Sequence, residues 1–163
     1  MNFANLGAFS RHMALLAVKE LAIDTIARGG VAAELHKAVR EKIGGDPAGL
    51  PPPLAASTVE KKGHDLPLYE SGKLHDSIQW EHVSARKTIV ASDDPKAVWH
   101  ELGPTNGRFP RRSFLASTAN EKNMLLLDLY TETLQAFLAG SRMGAAVGMS
   151  VVSSGVSRIK RVT

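Results

Sequence analysis

The sequence predicts an α+β fold, with a small antiparallel sheet packed against long N-terminal and C-terminal helices and an extended proline-rich arm. Three observations predict it. Apolar residues recur at helical spacing near both ends of the chain, a short β-branched run follows a polar turn between them, and five of the eight prolines fall within residues 44–70. With 163 residues, 44% of them hydrophobic, the chain can bury one core but not comfortably two, so one domain with appendages is expected.

Residues 1–43 form the N-terminal helical segment. Leu15, Val18, Ala22 and Ile26 make one apolar stripe, and Val31, Leu35 and Val39 make a second. The pair Gly29-Gly30 falls where the stripe changes phase, so a kink or short turn is expected there. Gly44-Gly45-Asp46-Pro47 ends the segment. Arg11, His12, Lys19 and Glu20 interrupt its apolar start before a membrane-length span accumulates, so no membrane partner is expected.

Residues 44–70 carry Pro47, Pro51, Pro52, Pro53 and Pro67, and wherever proline sits a backbone donor is missing, so this connector is expected to be mostly extended. Ser57 and Glu60 have capping-box spacing and predict one helical turn within it.

Residues 71–139 are expected to hold the α+β core. Leu74, Ser77, Ile78, Trp80 and Val83 lead to a polar turn at Ser84-Ala85-Arg86-Lys87, and Thr88-Ile89-Val90-Ala91 follows, the pattern of an antiparallel hairpin. Asp93-Asp94-Pro95 then reads as a helix start, and Gly103-Pro104 as its end. Leu126, Tyr130, Leu134 and Phe137 predict a last helix from about Ser113 to Ala139 that buries this stripe. Residues 140–163, ending in Arg158, Lys160 and Arg161, are expected to be a flexible or strand-like basic tail.

The charge of +4, from 20 Lys and Arg against 16 Asp and Glu, permits an acidic or nucleic-acid partner without requiring one. With no cysteine, the chain can form neither disulfides nor thiolate metal sites. His12, His36, His64, His75, His82 and His100 include no His-Glu-x-x-His arrangement, so neither a metal nor another cofactor is expected. No Gly-x-Ser-x-Gly elbow presents a nucleophile, Asp93-Asp94 is better read as a helix start than as an acid/base pair, and the glycines of 44–49 lack the lysine of a phosphate loop. No catalytic residue is assigned, and an enzyme is the least favoured reading. Arg108, Arg111 and Arg112 flank Phe109 and Phe114, a basic-aromatic cluster that keeps a DNA-binding protein as the rival from another class.

Four blocks stand in a recognisable order: Leu54 to Gly63, Pro67 to Ile78, Ala97 to Gly103, and Pro110 to Leu115. Together they resemble the virion-morphogenesis or tail-completion family of Mu-like and other tailed bacteriophages, and related head-tail connection proteins. The positions that match are Pro67, Leu68, Tyr69, Gly72, Leu74, Ser77 and Ile78, then Ala97, His100, Glu101 and Gly103, then Pro110, Arg112, Phe114 and Leu115. Leu102 stands where the family has an aromatic, Arg111 replaces a small residue, and Ser113 replaces a proline.

The resemblance implies a structural virion protein, located in the neck or tail of the particle and in the host cytoplasm during assembly. Its subunits would form a ring, expected to be a homo-hexamer, that completes the tail and supports head-tail joining. The other partners implied are the connector, the tail terminator or the tail tube. A tail-terminator ring and a head-side connector are the alternatives within that class. An ion pair between Arg112 and Glu101 is a further expectation.

Overall fold

The structure, a computed structural model, describes residues 6–45, 50–104 and 106–138. The basic tail 140–163 lies outside the described residues. Among the described residues the fold is α+β, with a long N-terminal helix, a two-stranded antiparallel sheet, three short helices and two further helices at its C-terminal side.

Helix α1 (Leu6–Gly44) runs 39 residues without a break, about 58 Å at 1.5 Å per residue. The interruption expected at Gly29-Gly30 does not occur; both glycines are buried within the helix. Tertiary ties on either side of the pair hold it: Thr25 Oγ1 donates to the Ala85 carbonyl at 2.9 Å, and His36 Nε2 donates to the Ile78 carbonyl at 3.0 Å. Packing thus overrides the low helix propensity of glycine. The helix ends as expected at Gly44, with Gly45 N–H bonded to the Glu41 carbonyl.

Among its described residues the connector contains one short helix, α2 (Ala56–Lys62), and its start corrects the capping-box expectation. Ala55 is the N-cap and makes no side-chain bond, while Ser57 lies inside the helix. Helix α3 (Lys73–Asp76) is a single turn that leads into the hairpin of β1 (Ile78–Ser84) and β2 (Lys87–Ser92).

In the hairpin Ile78 faces Ser92, Trp80 faces Val90 and His82 faces Thr88, and the register slips between His82 and Ser84. A lone two-stranded hairpin is marginal in water, and this one lies along α1, burying Ile78 and Trp80. Helix α4 (Pro95–Leu102) begins as the sequence predicts, with Asp94 Oδ1 accepting the Lys96 N–H at 2.8 Å and Pro95 in the first turn.

The single last helix expected from Ser113 is instead two. Helix α5 (Leu115–Glu121) and helix α6 (Asn123–Leu138) break at Lys122, whose φ of −95° and ψ of 2° are not helical. The break lets both pieces pack on α1. Lys42 reaches Ser117 and Glu121 of α5, while the Tyr130 hydroxyl of α6 donates to Asp24 at 2.6 Å. Helix α6 therefore runs back along α1 towards its N-terminal half.

The core forms around Val39, Ile43, Leu50, Leu74, Ile78, Ala97 and Phe114. It occupies one end of α1. Its N-terminal half projects past the hairpin, with Leu15 62% and Val18 66% exposed.

Candidate functional site

The block running Pro67 to Ile78 wraps the C-terminal end of α1. Pro67 is fully buried, and Leu68 takes a left-handed backbone with φ 61°, a strained choice for a side chain without a polar group to bond locally. Tyr69 lies edge-on to His75, with ring centroids 5.8 Å apart. Gly72 has φ 76° at the start of α3, a conformation glycine adopts without strain, and any Cβ there would sit 3.5 Å from the Tyr69 hydroxyl. Leu74 and Ile78 enter the core, and Ser77 Oγ bonds both the Leu74 carbonyl and Ser92 Oγ, tying α3 to the end of β2.

The block Ala97 to Gly103 supplies the second layer. Ala97 is buried, while Glu101 reaches across to the N-terminus of α5. Its Oε1 accepts from Ser113 Oγ at 2.6 Å and Ala116 N–H at 3.0 Å, and its Oε2 accepts from the N–H groups of Phe114 and Leu115, each at 3.0 Å. One carboxylate from α4 thus satisfies three main-chain donors and one hydroxyl at the start of another helix, where negative charge also meets the positive end of the dipole. Burial pushes the Glu101 carboxyl up, but the Ser113 hydroxyl and these N–H groups outweigh it and hold it below the ordinary carboxylate value.

This geometry corrects the expected ion pair. Arg112 does not reach Glu101; its Nε and Nη2 donate to the Pro52 carbonyl at 3.1 and 2.7 Å, with Nη2 also 3.4 Å from the Pro53 carbonyl. The reason is that the carboxylate's acceptor sites are already taken by the α5 terminus, while the proline-rich connector offers carbonyls without competing N–H donors. Arg112 is 8% exposed, and its own N–H donates to the His100 carbonyl at 3.0 Å. Its neighbour Arg111 donates through Nε to the Glu101 carbonyl at 2.7 Å and packs beside Gly103. Phe114 is buried in the core, Leu115 packs against it from a half-buried position, and Pro110 is exposed.

His100 and Glu101 point apart. The His100 ring packs on Phe109 with centroids 5.0 Å apart, and its Nδ1 has no hydrogen-bond partner among the described residues. Burial, followed by the nearby Arg112 charge, lowers the His100 pKa and favours the neutral ring. His100, Phe109 and Arg112 line a cleft of about 370 Å³ that Lys62, Lys96 and Trp99 help close. Burial lowers the pKa of Lys62 as well, and its Nζ donates to the Leu66 carbonyl.

The structure therefore brings the Pro67, Ala97 and Pro110 blocks together as one interlocked unit at the C-terminal end of α1. Chemically, Glu101 is committed to a helix terminus and Arg112 to main-chain carbonyls. Among the described residues, no group of three or more His, Asp or Glu side chains could hold a metal ion. No helix among them is long and apolar enough to cross a membrane.

Sequence reasoning did not single out the exposed apolar side chains on the N-terminal half of α1 and at the start of α6. Periodicity shows Leu15 and Val18 as an apolar stripe without saying whether the chain itself or a neighbouring subunit covers it, and Met124 and Leu125 stand beside the stripe of Leu126 and Tyr130. The available signal was surplus: α6 carries apolar residues at Met124, Leu125, Leu126 and Leu127, more than one helical face can bury. Compared with protein-family models, curated proteins and solved structures, the chain matches none.

Proposed function

We propose that the protein is a structural virion subunit of a tailed bacteriophage, a ring-forming component of the neck or tail end that completes the tail and supports head-tail joining. What carries the reading is the use made of the residues that resemble the tail-completion family. Glu101 joins α4 to α5, Arg112 joins the Pro110 block to the proline-rich connector, and Ser77 joins α3 to β2. Residues spent on holding elements together suit a subunit that acts by presenting surfaces to neighbours rather than by turning over a substrate.

A DNA-binding role for the basic-aromatic cluster is weakened by the same geometry. The guanidinium groups of Arg111 and Arg112 are held by main-chain carbonyls, and a phosphate would have to compete for them. A binding titration across salt concentrations separates the two, since phosphate contacts give a steep salt dependence.

Imaging of purified particles with the chain located in the density tests the proposal. Density at the head-tail junction is the expected result, and absence of the chain from mature particles would overturn it. Added to growing tail tubes, the protein should leave their length unregulated; a fixed length would make it the tail terminator instead.

A further inference from the structure

We propose that copies of this protein assemble head to tail, the bare face of the N-terminal half of α1 in one copy seating on the outer face of α6 in the next. The proposal rests on the ring reading above and assigns the interface that would build it.

The first surface follows from where the hairpin stops. One line along α1 carries His36, which bonds the start of β1, and Thr25, which bonds the hairpin turn at Ala85. Continued towards the N-terminus at 3.6 residues per turn, that line passes through Ala22, Val18 and Leu15. Up to Thr25 the hairpin covers it; beyond the turn Val18 and Leu15 are 66% and 62% exposed, the barest of the described large apolar side chains on α1. Arg11 and Lys19 fall on the same side of the helix, and Glu20 falls on the opposite side.

The second surface is on α6. Its inner face holds α1 through Leu126 and Tyr130, which leaves Met124 at 68% and Leu125 at 48% exposed on the outer side. Asp128 and Glu132 stand on that outer face, one and two turns beyond Met124, and α6 contains no Lys or Arg. An apolar stripe flanked by two cations is thus matched, on a different element of the same chain, by an exposed apolar pair followed on the same face by two carboxylates. Arg11 to Lys19 and Met124 to Glu132 each span about 12 Å of helix.

Charge selects how copies meet. Pairing α1 with α1 sets Arg11 and Lys19 against each other, and pairing α6 with α6 sets carboxylates together, whereas α1 on α6 matches opposite signs. An interface between two different surfaces leaves each surface free on the outer members, so it propagates until a rotation closes it into a ring.

Light scattering on the full chain, with Val18→Glu and Met124→Glu variants, tests the inference. Wild-type protein should form a discrete multi-subunit species, and each variant alone should be monomeric, with an unchanged circular dichroism spectrum and the melting temperature of wild type diluted to monomer. A mixture of the two variants should form dimers and nothing larger, because each supplies the surface the other lacks. Because the chain has no cysteine, Val18→Cys and Leu125→Cys copies should cross-link on mixing and not separately.

Variants that assemble like wild type would overturn the assigned interface while leaving the ring reading standing. A wild-type chain that stays monomeric through ~100 µM, well above micromolar affinity, would overturn the self-assembly proposal, and particle imaging would then judge the functional reading alone. A Val18→Cys monomer that resists thiol reagents would show the face covered within its own chain, and would also overturn it.

Discussion

The two ends of α1 are built from similar residues and do opposite things. In the C-terminal half Ala27, Ala32, Ala38, Val39 and Ile43 are buried, Val39 and Ile43 of them in the core with Ile78, Ala97 and Phe114. At the N-terminal end Leu15, Leu16 and Val18 are larger, on average more apolar, and exposed. What separates them is not the helix but what the rest of the chain lays across it. Val39 and Ile43 sit where other elements approach closely, and Leu15 and Val18 stand largely exposed.

The difference predicts that stability is concentrated at one end. Ile43 is fully buried in the core, and Ile43→Ala should cost about 2–5 kcal/mol through lost burial and the cavity left behind. Chemical denaturation of the purified variant measures it; a loss under about 1 kcal/mol would mean that the core end is not where the fold is held.

The next largest effect belongs to Glu101, which locks the same end by a different means. Glu101→Gln keeps the shape but replaces an acceptor oxygen with an NH₂ facing main-chain N–H donors, and should cost about 1–2 kcal/mol, the range of a lost helix cap. The pH dependence gives a second readout. Because the folded carboxyl has a pKa below its ordinary 4.5, its contribution is fully present above that value and is lost as pH falls through the lower folded value. Wild type should therefore shed this stability on acidification below about 4.5, and the variant should lack that component. Equal acid slopes in the two proteins would contradict the assignment.

How much of this was legible in the sequence follows from the range of the forces involved. The hairpin, the Asp94-Pro95 helix start and the stop at Gly44 are local, written in β-branched runs, capping side chains and glycines. The uninterrupted Gly29-Gly30 segment was not legible, because ties from Thr25 and His36 to the hairpin decide it. The Glu101 cap on α5 was not legible either: it crosses twelve or more residues and follows no fixed spacing. The partner of Arg112 was misread for a related reason, since opposite charges suggest a pair in sequence while unpaired proline carbonyls carry no charge signal. Periodicity found both apolar stripes on α1 but could not say which one the rest of the chain covers.

Between the two ends lies Gly30, and it offers a smaller change of opposite sign. A Cβ at this position meets nothing within 4 Å, so Gly30→Ala should fit without strain and stabilise the fold by about 0.5–1 kcal/mol through the reduced entropy of the unfolded chain. If the bare half of α1 depends on the core half for its helicity, the variant should also slow amide hydrogen exchange in residues 15–22. Stabilisation without slower exchange there would show that the two halves open independently.

The smallest effect sharpens the contrast most. Val18 is as apolar as Val39, and the two differ in exposure, 66% against none. Val39→Ser would leave a void and an unpaired hydroxyl in the core, whereas Val18→Ser should change the stability of the isolated subunit by no more than about 0.5 kcal/mol. The measurement must be made on monomer at high dilution, because coupling to assembly would otherwise add the interface to the unfolding free energy. A loss above about 1 kcal/mol in the dilute monomer would place Val18 under cover within its own chain. A loss that grows with protein concentration would place it against a neighbour. With the second outcome, Val18 would matter only when copies meet, and that property would separate this end of α1 from the other.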